Sequence, residues 1–77
     1  MPIILSKDAA KSLSRINEPD YSRIKTAIAK IPAGNIKRLV NASSSYRLRV
    51  GNWRILFDMR NVISINEILP RGSAYKN

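Results

Sequence analysis

The stretch Tyr46-Arg47-Leu48-Arg49-Val50-Gly51-Asn52-Trp53-Arg54-Ile55-Leu56-Phe57 decides the fold. Apolar side chains recur at every second position on both sides of Gly51-Asn52, a period that belongs to strands, and Gly-Asn is a turn dipeptide. A two-residue hairpin loop there pairs Val50 with Trp53, Arg49 with Arg54, Leu48 with Ile55, Arg47 with Leu56 and Tyr46 with Phe57. Because side chains alternate across a sheet, that register puts Tyr46, Leu48, Val50, Trp53, Ile55 and Phe57 on one face and Arg47, Arg49 and Arg54 on the other. The apolar face needs a cover.

The preceding residues supply it. Ile3, Ile4 and Leu5 form a short apolar run that ends at Ser6, too brief for a helix and suited to a strand. Ser6 reads as an N-cap, with Asp8 in the first turn and Ala9, Ala10, Leu13 and Ile16 at helical spacing. Asn17-Glu18-Pro19 interrupts that helix, and Pro19-Asp20 suits the opening of a second one. Tyr21, Ile24, Ala27, Ile28 and Ile31 then share one face, Arg23, Lys25 and Lys30 occupy the others, and Pro32-Ala33-Gly34 stops the run. So short a break makes the two helices a hairpin. Ser43-Ser44-Ser45 reads as a loop or strand entry, and a third strand follows the hairpin from about Val62 to Leu69, with the length of the turn near Arg60-Asn61 left open. The expected fold is α+β: an N-terminal strand, a two-helix hairpin, then a three-stranded antiparallel meander, β-α-α-β-β-β, with both helices on one side of the sheet.

Composition bounds the chemistry. The 77 residues make one domain spanning residues 1–77, small against the usual ~100 residues of a single core, so a stabilising partner is expected. With no Cys and no His, disulfides, the usual zinc ligands and the usual nuclease base are absent, and no cofactor is expected. The 14 Lys and Arg against 5 Asp and Glu give a formal charge of +9, a field that draws polyanions. No apolar run approaches the ~20 residues of a membrane span and the amino terminus lacks the plan of a secretory signal, so the expected location is the cytoplasm, with no membrane partner.

Arg49 facing Arg54, with Arg47 alongside, runs against simple stability, because like charges opposite each other on neighbouring strands repel. One arginine there would be explained by a solvated, aggregation-resistant sheet face; three together point to an anion-binding face, and the planar guanidinium fork grips two phosphate oxygens at once. Arg71, just after Leu69-Pro70, and Tyr75 beyond Gly72 join them in sequence. Tyr75 has two readings: a stacking or proton-transferring phenol at an RNA site, or an aromatic that pins a tail to the core.

YRLRVGNWRILFDM (46–59) followed by ISINEILPRGSAYK (63–76) resembles the RelE branch of the RelE/ParE toxin superfamily, and the likeness covers most of the chain. Arg47 and Arg49 match that family's basic pair, which is lysine in many members; Arg54 matches its next arginine, Arg71 its late arginine and Tyr75 its tyrosine. The resemblance implies a toxin paired with a cognate antitoxin, acting on the ribosome to cleave mRNA at the decoding site by attack of a ribose 2′-hydroxyl on the adjacent phosphate, without a metal. In that reaction Arg54 and Arg71 would neutralise the scissile phosphate, with Arg71 also a proton donor, while Arg47 and Arg49 would orient the backbone. The general base is unassigned, since arginine stays protonated. Tyr75 and Glu67 are the candidates, with Glu67 favoured instead as an ion-pair partner opposite Arg54.

Two other functions share these features: a ParE-like inhibitor of DNA gyrase without nuclease chemistry, and an idle module that presents a basic face to RNA or an acidic partner. The arginine set favours the nuclease branch. Leu56 and Ile68, expected outside the core, suggest that an amphipathic segment of an acidic partner covers the toxin.

Overall fold

A computed structural model describes residues 1–70 of the chain. Its elements follow in the order β1 (Ile3–Leu5), α1 (Lys7–Ser14), α2 (Asp20–Ala29), β2 (Ile36–Arg38), β3 (Tyr46–Val50), β4 (Trp53–Met59) and β5 (Ile63–Pro70). The expected order is present, with one addition: a three-residue strand, β2, between the helices and the meander. The five strands are arranged β1-β5-β4-β3-β2, antiparallel except where β1 lies parallel to β5. The first strand therefore closes the sheet beside the last.

The central hairpin has the register that the alternation predicts, Tyr46 opposite Phe57 through Val50 opposite Trp53. Gly51 turns at φ +57 and Asn52 does not follow it into positive φ, the sign pattern of a type II′ loop, whose twist matches that of the flanking strands. Leu48, Ile55 and Phe57 are sealed against Ala9, Ile24, Ile28 and Ile31 of the helical layer, with Ile63, Ile65 and Ile68 completing the core. Tyr46 and Phe57 stack as a cross-strand aromatic pair, their centroids 5.4 Å apart.

A β-bulge breaks the β4–β5 ladder: Leu56 pairs with Glu67 but Phe57 with Ile65, leaving Asn66 as the extra residue. The bulge shifts the phase of β5 in mid-strand. Ile63 and Ile65 face the core before it and Ile68 after it, which is why both faces of this segment look apolar in sequence. Ile68, expected outside the core, is buried within it, and Leu56, on the arginine face, is only 4% exposed.

Ser6 ties the helical layer to the bulge. Its Oγ accepts the Ala9 N–H at 2.9 Å as the N-cap of α1 and donates to the Asn66 carbonyl at 2.8 Å, while its own N–H donates to Ile65 O. Asp20, at the start of α2, accepts the Trp53 indole N–H at 3.0 Å and so fixes the second helix to the start of β4. Ser6→Ala removes a cap and strands a carbonyl. It should lower stability by about 1–2 kcal/mol, read as a lower urea midpoint with an unchanged m-value.

Candidate functional site

The face of the sheet opposite the helices carries the arginines. Leu48 and Ile55 point into the core, so their neighbours Arg47, Arg49 and Arg54 point away from it, and Arg49 lies directly across from Arg54. Arg47 sits two positions along β3, opposite Leu56. Arg49 is exposed, whereas Arg47 and Arg54 are half-buried. Arg71 and Tyr75, expected to complete the set, lie outside the described residues.

Two guanidinium nitrogens, Arg47 Nε and Arg54 Nη1, are enclosed and have no hydrogen-bond partner among the described residues. An enclosed donor without an acceptor costs about 1–3 kcal/mol, and a guanidinium cannot escape the cost by losing its proton. The arrangement therefore combines like-charge repulsion with unmet hydrogen-bonding capacity on one face. A phosphate at the accessible edges of these guanidinium groups relieves the repulsion, its charge being opposite and its oxygens acceptors, and the enclosed nitrogens are satisfied when the side chains shift to meet it.

Glu67 departs from expectation. The bulge puts it opposite Leu56, while Arg54 faces Leu69, so the expected cross-strand ion pair between Glu67 and Arg54 does not form. Leu56 stands between Glu67 and Arg47 in the row across the strands. A carboxylate that does not neutralise Arg54 leaves the arginine charge available to a ligand.

The structure adds a cation that the sequence alone did not single out. Ile36 of β2 packs against the core, so Lys37 beside it lies on the arginine face, directly across from Arg47. The three residues of β2, Ile36, Lys37 and Arg38, show no period of two and are too few to separate from a loop in sequence.

A polar cluster bounds the face near the bulge. Asp58 accepts the Ser45 backbone N–H at 2.9 Å and the Asn66 side-chain amide at 2.9 Å, and Asn66 also reaches the buried Ser44 hydroxyl at 2.8 Å. Burial pushes the Asp58 carboxyl up, but the hydrogen bonds from Ser45 and Asn66, with the charge of Arg60, outweigh it and hold its pKa below the usual 3.8. The Ser43-Ser44-Ser45 loop is thus anchored by an ionised carboxylate. A carboxyl depressed on folding contributes stability that is present above its unfolded pKa and is lost as pH falls through the folded value. Asp58→Asn should therefore lower stability at pH 7 by less than about 1 kcal/mol, solvent screening being strong at so accessible a carboxylate, read as a lower melting temperature, and the gap to the parent chain should close as the pH is taken below 3.8.

No protein-family model matches the sequence, and a comparison with curated proteins finds no match. Solved structures do match. A chain of the RelB–RelE antitoxin–toxin complex from Methanococcus jannaschii superposes with a TM-score of 0.73 at 24% identity, covering 87% of this chain and 88% of that one. A chain of the archaeal RelE–RelB complex from Pyrococcus horikoshii OT3 gives a TM-score of 0.73 at 22% identity, covering 95% and 97%. The fold of this chain is RelE-like.

Proposed function

We propose that this chain is a RelE-like toxin of a toxin–antitoxin pair, a single domain over residues 1–77 that cleaves mRNA in the ribosomal decoding site in the cytoplasm. The observation that carries the reading is the Arg49–Arg54 pair with Arg47 beside it, on a face where Arg54 Nη1 and Arg47 Nε lack acceptors. Fold likeness to chains from RelB–RelE complexes supports the toxin assignment and the antitoxin partner.

In this mechanism a ribose 2′-hydroxyl attacks the adjacent phosphate, a bond forms from that oxygen to phosphorus, and the bond to the 5′-oxygen breaks. Negative charge gathers on the non-bridging oxygens during the step. Arg54, preset and partly desolvated, stabilises that charge, with Arg71 as its counterpart and the proton donor to the leaving oxygen. Arg47 and Arg49 hold the flanking backbone, and Tyr75 stacks on a base or takes part in proton transfer. Glu67, set apart from Arg47 by Leu56, leaves Tyr75 or a group supplied by the ribosome as proton acceptor.

The antitoxin covers the edge of β1. Met1 (65% exposed), Ile3 (38%) and Ile4 (53%) are apolar side chains left uncovered there, beside a groove of about 370 Å³ lined by Ile3, Leu5, Leu13, Tyr21, Lys25, Ile28 and Ala29. This replaces the expectation built on Leu56 and Ile68, both of which are buried. Among the described residues no helix is long and apolar enough to cross a membrane.

The test is translation of a defined message on purified ribosomes, with breaks mapped by primer extension. Breaks within the codon at the decoding site are expected, falling by at least about 100-fold with Arg54→Ala and with Arg71→Ala. Intact message contradicts the nuclease reading, and intact message together with blocked DNA supercoiling would replace it with gyrase inhibition.

A further inference from the structure

We propose that Lys37 and Arg47 form a second phosphate subsite beside the Arg49–Arg54 pair, so that single-stranded RNA leaves that pair over β2. The proposal rests on the RNA-binding reading above and gives it a direction.

Two like-charge pairs stand on the face, Lys37 opposite Arg47 and Arg49 opposite Arg54. Each is unfavourable alone, and each becomes favourable with an anion between its members. The pairs share β3 and are offset by two residues along it, about 7 Å at the rise of a strand. A single-stranded backbone can bridge that distance between neighbouring phosphates. Arg47 Nε, enclosed and without an acceptor, belongs to the Lys37 pair and has the same unmet capacity as Arg54 Nη1 in the other.

The charges also favour the β2 side of the face. The row that begins with Lys37 continues through Arg47 and Leu56 to Glu67 on β5, so it passes from cation to apolar side chain to carboxylate. Asp58, whose carboxylate is engaged by Ser45 and Asn66, lies on the same face towards the far end of β4. Glu67 is thus the anionic end of that row, while its β2 end is open and basic. Being a strand of three residues at the sheet edge, β2 leaves no further element in the way among the described residues.

Lys37 and Arg38 make the test sharp, because they are adjacent cations on opposite faces of one strand. Binding of the full chain to a fluorescein-labelled oligouridine is followed by anisotropy over a range of salt concentrations. Removing one cation that neutralises a phosphate of a single strand reduces the magnitude of the log–log salt slope by about 0.7. Lys37→Gln should show that reduction with weaker binding; Arg38→Gln, an equal loss of net charge, should not; and Lys37→Arg should keep the parent slope. Circular dichroism melts check that each variant is folded, and Lys37→Arg separates loss of charge from disturbance of β2. Equal slopes for Lys37→Gln and Arg38→Gln would overturn the second subsite while leaving the toxin reading intact. Failure of the parent chain to bind the oligouridine overturns this proposal, whereas decoding-site cleavage tests the toxin reading separately.

Discussion

Everything in this structure depends on the length of one turn. Two residues, Gly51 and Asn52, join β3 to β4, and that length fixes which side chain meets which across the hairpin. Leu48, Ile55 and Phe57 consequently seal the helical layer while Arg47, Arg49 and Arg54 gather on the opposite face. A loop longer by one residue would reverse one strand, burying arginines under the helices and exposing the core. Core and site are two consequences of a single register, so neither can be altered independently through the turn.

The site is assembled from groups the fold alone does not favour. Like charges face each other twice, and two enclosed guanidinium nitrogens have no acceptor among the described residues. Such a face gains stability on meeting an anion, which is the physical content of the binding proposal. The same inventory limits the chemistry: arginine stabilises developing negative charge but cannot accept a proton, and the two nearby carboxylates are placed away from the arginine pair, Asp58 engaged by Ser45 and Asn66 and Glu67 across Leu56. Charge stabilisation and positioning are therefore what the described part of this face supplies.

Most of the fold was legible in the sequence because the decisive signals are local. A period of two around Gly51-Asn52, a Ser6 cap and helical spacing from Tyr21 to Ile28 each involve neighbours along the chain, and each is found in the structure. What was not legible is non-local. The parallel pairing of β1 with β5 depends on residues some sixty positions apart, as in Ile3 opposite Ile63. The strand β2 is only three residues long and owes its pairing to β3, so nothing local marked Lys37 as a member of the face. The bulge at Asn66 moved Ile68 into the core and set Glu67 opposite Leu56, because the extra residue shifts the phase in the middle of an otherwise regular strand. Arg71 and Tyr75, assigned to the site mainly through family resemblance, lie outside the described residues.

The central claim is that anions bind the sheet face opposite the helices and not the basic surface at large. Arginine Nε–H resonances followed by nuclear magnetic resonance during titration with inorganic phosphate test it most directly, because each guanidinium reports separately. The account predicts shifts for Arg47, Arg49 and Arg54 and none for Arg15 and Arg23, which are exposed on the helical side. Shifts of similar size at Arg15 and Arg23 would contradict it.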